Sequence, residues 1–312
     1  MSIAVKIGCD PELFLTSNKK PISAFNVIPG DKKNPHKVDK GAVQVDGMAL
    51  EFNIDPAEDA KTFSNNIGRV LSQLESMIPQ GTKFKISPVA YFGEEYIKDQ
   101  PDAAKELGCD PDFNAWRNGE RNPRPSGDAP FRTASGHIHI GWGNDFDIND
   151  PEHLEACQMM VKQLDMVLLP FSFAWDDDDT RRRLYGMPGA YRPKPYGVEY
   201  RVLSNVWIKK AYLRKFVFDM TKMCFDQLVI GNNFVDTKVY AATSTKGILS
   251  SVVSNSKKLL VFRSYVFSLI SSFATDRAVQ EVLRNNVRAL MDINDFLIKN
   301  GYSPIRVKGV NS

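Results

Sequence analysis

Cysteine is scarce in this chain: four residues in 312, at positions 9, 109, 157 and 224, none in a CxxC pair. That spacing excludes a zinc knuckle and a compact disulfide framework, and it predicts reduced, mostly buried thiols. Long apolar runs are also missing. The longest, Leu259 to Ile270, is broken by Arg263 and Ser264 and falls short of the ~20 residues that cross a bilayer. The N-terminal residues read as a short strand, without the basic and apolar regions of a secretion signal; the expected location is the cytoplasm, and no membrane partner is expected. Net charge is small, +3 from 40 basic and 37 acidic residues, so direct nucleic-acid binding is not indicated by charge. Neither a Walker A nor a GxGxxG pattern occurs, which excludes the two commonest phosphate-binding loops.

What remains is an ordinary globular composition, 43% hydrophobic and 25% charged, in a chain long enough to bury roughly three quarters of its unfolded surface. The first half predicts short strands bounded by turns: Ala4 to Ile7, Leu13 to Thr16, Gly41 to Val45, Ala49 to Ile54, Phe84 to Ala90 and Ala134 to Trp142. Asp46-Gly47 is a hairpin signal between two of them. One helix interrupts the set, with Asp55 as cap, Pro56 at its first position and Phe63, Ile67, Val70, Leu71, Leu74 and Met77 on its inner side. A second helix starts at Asp150-Pro151-Glu152 and runs toward the acidic tract Asp176 to Asp179. Residues 94–132 lack apolar periodicity and predict a long irregular excursion. Helices are predicted near 207–230, 257–273 and 276–299. The fold class is α+β: an antiparallel sheet packed with helices. Gly108-Cys109-Asp110-Pro111-Asp112 echoes Gly8-Cys9-Asp10-Pro11-Glu12, but the flanks do not repeat, which suits two similar turns better than a duplicated domain.

Three constellations carry chemistry. His137 and His139, half of the histidines, are two residues apart in a β-like stretch and share a face; Gly136 and Gly141 beside them suggest close approach by a ligand. Glu199 and Arg201 share a face in a second strand. Glu12 and Glu51, charged on strands with apolar neighbours, need partners and could join Glu199 in a carboxylate cage for a hard cation such as magnesium. Arg132, Arg183, Arg192, Lys194 and Arg201 arrive from several segments, and arginine's planar fork suits phosphate. Arg181 is better read as neutralising the Asp176 to Asp179 tract. Each group has a plainer alternative, a salt bridge or hydrogen bond on a sheet face.

Taken together, these residues carry a family resemblance. Ser135-Gly136-His137-Ile138-His139 is similar to the histidine strand of glutamine synthetases, and Glu199-Tyr200-Arg201 resembles their later Glu-x-Arg strand, in the same order. Glutamate-cysteine ligases share the plan. The match is best with phage-type carboxylate-amine ligases (COOH-NH2 ligase, type 2 amidoligase), through Gly8 to Glu12, Val45-Asp46-Gly47, Leu50 to Asn53, and Arg183-Leu184-Tyr185-Gly186 on to Arg201. The resemblance spans roughly residues 1 to 210.

It implies an α+β ligase fold with a sheet of the glutamine synthetase catalytic type. The whole of 1–312 would be one ligase domain, its catalytic sheet mostly in 1–210 and a helical remainder in 211–312. The implied reaction is ATP- and magnesium-dependent amide or peptide bond formation through an acyl phosphate, in the host cytoplasm if the chain is phage-encoded, with small-molecule or peptide carboxylates and amines as substrates. Glu12, Glu51, Glu199 and His137 would hold two or three magnesium ions. His137, His139, Arg132, Arg183, Arg192 and Lys194 would bind the nucleotide, Arg192 and Arg201 the transferred phosphate, and Asp46 or Asp112 would take the amine proton. One residue fewer separates Gly136 from the first histidine than in glutamine synthetase, so the roles of His137 and His139 stay open. Two other classes fit the residues: a zinc hydrolase using the histidine strand, for which only His36 and His153 remain as third imidazoles, and a noncatalytic phage protein of ligase-like fold.

Overall fold

The computed structural model describes residues 4–105, 112–123, 129–176, 178–236, 266–267, 269–270 and 275–310. Its strands are β1 (Lys6–Cys9), β2 (Glu12–Ser17), β3 (Lys20–Ile22), β4 (His36–Val38), β5 (Gly41–Asp46), β6 (Ala49–Ile54), β7 (Thr82–Lys85), β8 (Val89–Tyr91), β9 (Phe113–Asn114), β10 (Glu120–Arg121), β11 (Phe131–Thr133), β12 (Ile138–Gly141), β13 (Ala190–Lys194) and β14 (Gly197–Tyr200). The helices are α1 (Ala60–Met77), α2 (Glu94–Lys98), α3 (Asp102–Lys105), α4 (Pro151–Ser172), α5 (Asp179–Arg182), α6 (Ala211–Val229), α7 (Arg277–Arg284) and α8 (Val287–Lys299). This is an α+β chain, and the strand pairs are antiparallel as expected.

Among the described residues the strands form three sheets instead of one. The first runs β1-β12-β14-β13-β9-β10, the second β3-β2-β6-β5-β4 with β7 on β2, and β8 pairs with β11 alone. Pleating sorts each ladder into two faces. On the first sheet Cys9, Ile138, Tyr200 and Tyr191 stand in one cross-strand row, and all four are buried. This back face packs on α4, whose inner side is Cys157, Met160, Val161, Leu164, Val167 and Leu168. On the second, α1 lays Phe63, Ile67, Val70 and Leu74 over β5 and β6. Cys9, Asp10 and Pro11 lead from one sheet to the other.

Several expected boundaries move for identifiable reasons. Helix α1 is capped by Asp59, whose side chain accepts from the Thr62 N–H, not by Asp55. The Asp55 and Ala57 amides are already committed to Lys40 and Ile7 carbonyls. The strand expected over 134–142 starts only at Ile138, because the Gly136 N–H turns away to the Leu203 carbonyl and Ser135 bridges Ser204. The one expected over 84–90 is two strands in different sheets, β7 and β8. Residues 94–132 are less irregular than expected, holding α2, α3 and the β9–β10 hairpin. Helix 207–230 begins as a 3-10 turn over 205–209. Helix 276–299 is two helices, broken where the Asn286 side chain donates to the Val282 carbonyl and to Asp219. Cys9, Cys157 and Cys224 are free and buried, as the spacing predicts. Cys109 with its echo motif up to Pro111, and all but four residues of the 257–273 helix, lie outside the described residues. Among the described residues no helix is long and apolar enough to cross a membrane.

Candidate active site

The register places the site. On the face opposite the Tyr200 row, His139 on β12 pairs with Glu199 on β14, which pairs with Arg192 on β13, and Gly8 on β1 closes the row. Lateral neighbours in a sheet project to the same side, so an imidazole, a carboxylate and a guanidinium lie in line. A second row crosses the other sheet, where Gln44 pairs with Glu51 and Glu51 with Glu12. The Gln44 side chain donates to Glu51 Oε2 at 2.6 Å, and the Ser135 N–H to Glu12 Oε2 at 2.7 Å.

Asp10, in the turn joining the sheets, is the centre. Its Oδ1 is 3.3 Å from His137 Nδ1 and its Oδ2 is 3.0 Å from His139 Nε2. His137 Nδ1 is also 3.4 Å from Glu199 Oε1. Both imidazoles therefore reach one carboxylate, as their shared face predicts. His139 Nδ1 contacts the Tyr196 hydroxyl. Glu199 is 1% exposed, and Arg192 and Lys194 of β13 and Arg201 just past β14 all reach it. Lys194 Nζ is 2.8 Å and Arg192 Nη1 3.6 Å from Oε2, and Arg201 Nη1 contacts Oε1. Arg201 Nε is 3.9 Å from Asp112.

Electrostatics divide these acids into two kinds. Burial alone would raise Asp10 and Glu199, but His139 and His137 beside the first, and chiefly Arg201 beside the second, hold both well below the ordinary range. Burial, with Arg201 adding to it, pushes His137 down to about 4 despite Asp10; it is a neutral imidazole at neutral pH, the form that binds metal. Burial opposes the charge on His139 too, but Asp10 outweighs it and holds that ring above its usual value. The other sheet differs. Burial and then Asp46 push Glu12 up to about 7. Burial, Asp10, Asp46 and Glu12 push Glu51 well above the carboxylate range. Asp46 is itself raised by burial, although Lys32 Nζ lies 2.9 Å away. This is a group of acids with too little positive charge beside it.

These residues fit a divalent cation. Among the described residues one His/Cys/Asp/Glu group can bring ligand atoms to a point: Asp10, His137 and Glu199, whose atoms lie within 4.8 Å of one another. Asp10 Oδ1 and His137 Nδ1 are buried facing each other, and buried Glu199 Oε2 faces Lys194 Nζ, in ion-pair contacts that lack hydrogen-bond alignment, so a cation among them would complete their coordination. The donor set is oxygen-rich with one nitrogen. A cleft of about 770 Å³ opens beside it, with Asp10, His139, Tyr196, Gln44 and Glu51 at its polar end and Ile54, Pro56 and Trp142 among its walls.

Of the expected site residues, Glu199, His137, His139, Arg192, Lys194 and Arg201 are brought together, and Glu12, Glu51 and Asp46 form the neighbouring acidic group. Arg132 is buried on β11 with Nη1 donating to the Ala129 and Phe131 carbonyls. Arg183 is exposed at the end of α5. The neutralising role expected of Arg181 falls to Arg182, which pairs with Asp176 and Asp179. Arg181 turns inward, its fork donating to the Val202 and Arg201 carbonyls. The approach expected at Gly136 comes from the protein itself: an added Cβ would lie 2.4 Å from the Ser204 carbonyl oxygen and 2.6 Å from Trp207 Nε1. His36 is exposed on β4, while His153 Nε2 meets the Lys194 carbonyl under the Phe146 ring. Sequence reasoning missed Asp10, taking it for a turn residue, although it is two residues from Glu12 just as His137 is from His139. It also missed Lys32, Gln44 and Tyr196, for which no local pattern exists.

Residues 126–247 match the model of the phage phiEco32-like COOH.NH2 ligase-type 2 family, a family of enzymes. That bears out the resemblance to phage-type carboxylate-amine ligases. The matched segment contains His137, His139, Arg192, Lys194, Glu199 and Arg201; the strands with Asp10, Glu12, Asp46 and Glu51 precede it. Curated proteins gave no match. Among solved structures, a bifunctional glutathione synthetase from Pasteurella multocida aligns over 96% of this chain and 50% of its own, at 9% identity and TM-score 0.41. The present chain thus spans about half that protein's length. GmaS in its ADP complex aligns over 91% of this chain and 73% of its own, at 10% identity and TM-score 0.38.

Proposed function

We propose that this chain, which carries a carboxylate-amine ligase segment over residues 126–247, joins a carboxylate to an amine at the expense of ATP through an acyl phosphate. Its sheet would be of the glutamine synthetase catalytic type, in a single ligase domain working in the cytoplasm of the cell that makes it. The observation that carries this is the convergence on Asp10 and Glu199. Two acids and a neutral imidazole able to hold a cation lie against Arg192, Lys194 and Arg201, able to bind phosphate.

Asp10, His137 and Glu199 would hold one magnesium ion, and Glu12 with Glu51 a second. Bound there, magnesium would offset the charge on the phosphate oxygens during transfer. Arg192, Lys194 and Arg201 bind and orient the γ-phosphate. A substrate carboxylate oxygen attacks its phosphorus, the bond to the bridging oxygen breaks, and ADP leaves with the electron pair. The amine nitrogen then attacks the acyl carbon and inorganic phosphate departs. Asp46, whose carboxyl burial holds above its ordinary value, takes the amine proton, as a base nearer neutrality does best. Asp10 and Tyr196 hold the two nitrogens of His139 and fix its ring toward the cleft.

The test works whatever the natural amine is. Pools of carboxylic acids are incubated with the protein, MgATP and hydroxylamine, which captures an acyl phosphate as a stable hydroxamate. Hydroxamate formed in step with ADP supports the proposal, whereas ADP released without any acid, or no ADP with any pool, opposes it.

A further inference from the structure

Behind the sheet, on the face away from Glu199, a carboxyl is buried with no cation against it among the described residues. Asp165 sits within α4 and is fully buried. Its Oδ2 accepts from Trp116 Nε1 at 2.7 Å and its Oδ1 from the Tyr200 hydroxyl at 2.8 Å. The Gly189 N–H is a third donor. Burial nonetheless pushes the carboxyl up to about 7.

The three donors come from three segments, and each borders the site. Tyr200 stands between Glu199 and Arg201, and strand alternation sends its ring toward α4 while its neighbours face the opposite side, where they meet each other and Glu199 meets His137. Gly189 immediately precedes β13, which carries Arg192 and Lys194. Trp116 follows Asp112, the partner of Arg201, by four residues. The junction has no slack. Gly189 has φ +83°, and a Cβ there would lie 2.6 Å from both Asn114 Oδ1 and Trp116 Cδ1. The Ala115 N–H meets the Gly189 carbonyl at 2.8 Å, and Asn114 Nδ2 meets the Pro188 carbonyl at 3.1 Å.

A buried acid without a counter-ion is a poor source of stability, and an apolar residue of similar volume usually serves packing as well. What Asp165 supplies instead is direction, because its oxygens accept from fixed donors on three chain segments at once. We propose that Asp165 is a positioning residue for the site on the opposite face, setting β13, β14 and the Asp112–Trp116 segment relative to one another. It thereby places Glu199, Arg201, Arg192 and Lys194. The ligase proposal supplies what that site does; the mechanical claim does not depend on it.

The experiment compares the full-length wild type with Asp165→Leu, Tyr200→Phe and, as a control, Tyr191→Phe, which removes a neighbouring back-face hydroxyl that bonds Gln158 instead. Three properties are read: melting temperature, the ring resonances of the four histidines by nitrogen-edited NMR, and the affinity for Mn2+ alone. Positioning predicts that Asp165→Leu and Tyr200→Phe shift the His137 and His139 rings and weaken Mn2+ binding roughly tenfold or more, with His36 unmoved, and that Tyr191→Phe does neither. A merely structural role would lower the melting temperature and leave both imidazoles and the metal affinity unchanged, which overturns the proposal. Should Asp165→Leu fail to fold, Tyr200→Phe decides. Should the wild type take up no Mn2+, the metal assignment falls, and the imidazole resonances still decide the role of Asp165.

Discussion

Glu12 and Glu51 stand opposite each other in register across β2 and β6. Burial and Asp46 push Glu12 from 4.5 to about 7, so the metal-free fold holds this proton more tightly than the unfolded chain does. The sign follows from linkage: stability from this group is present below 4.5 and is lost as pH rises toward 7. His137, pushed down to about 4, has the opposite sign over pH 4 to 6.5, so the informative quantity is the difference between variant and wild type. Metal-free Glu12→Gln is expected to melt several degrees above wild type at pH 8, with the gap closing toward pH 5. Magnesium should raise the wild type at pH 8 far more than the variant. Parallel melting curves across that range would remove the acidic group from the metal account.

Asp10→Asn tests the residue that joins the two sheets. It keeps the size of the side chain while removing the charge that His137 and His139 both face. Mn2+ affinity, measured by titration, should fall at least about tenfold. The His139 ring should also lose its elevated basicity, since Asp10 is what sustains it. Unaltered metal affinity in a folded Asp10→Asn protein would place the cation elsewhere.

Lys194 Nζ reaches Glu199 Oε2 from across the β13–β14 hairpin. If its part is to meet phosphate, Lys194→Met should weaken nucleotide binding roughly tenfold, the worth of one charge-assisted contact. Affinity for Mn2+ alone should not drop, because a competitor for Glu199 has been taken away. Equal loss of both affinities would make Lys194 a support for Glu199 instead of a phosphate contact.

Gly136→Ala tests how the histidine strand is seated. The new methyl would meet the Ser204 carbonyl and the Trp207 indole nitrogen at distances no real Cβ shows, and one neighbour is backbone. A loss of about 1–3 kcal/mol is expected from chemical denaturation, without any ligand present. Full stability would mean that the 204–207 turn yields easily.

Much of this site was legible because its signals are local. The spacing of His137 and His139, and of Glu199 and Arg201, fixes a shared face through the strand period alone, and the register then sets His139 beside Glu199. The caps of α1 and α4 are equally local, although at α1 the Ile7–Ala57 bridge displaces the start from Asp55 to Asp59. What sequence could not supply is pairing between distant segments. Nothing near Lys32 indicates that it reaches Asp46, and nothing near Arg181 indicates that its fork is taken by carbonyls twenty residues on. Asp165 is the extreme case, a lone acid on an apolar helix face whose donors lie 24 to 49 residues away. Asp10 lies between: its two-residue offset from Glu12 was visible, but the adjoining proline gives the segment the look of a simple turn.

The most direct measurement is calorimetric titration of MgATP into the wild type and into Glu199→Gln. Glu199 is where the expected metal ligands and phosphate cations meet, so the wild type should bind and the variant should bind at least tenfold more weakly, a loss of roughly 1.4 kcal/mol or more. Equal binding by a folded Glu199→Gln protein, or no binding by the wild type with acid and amine pools present, would contradict a nucleotide site on this sheet.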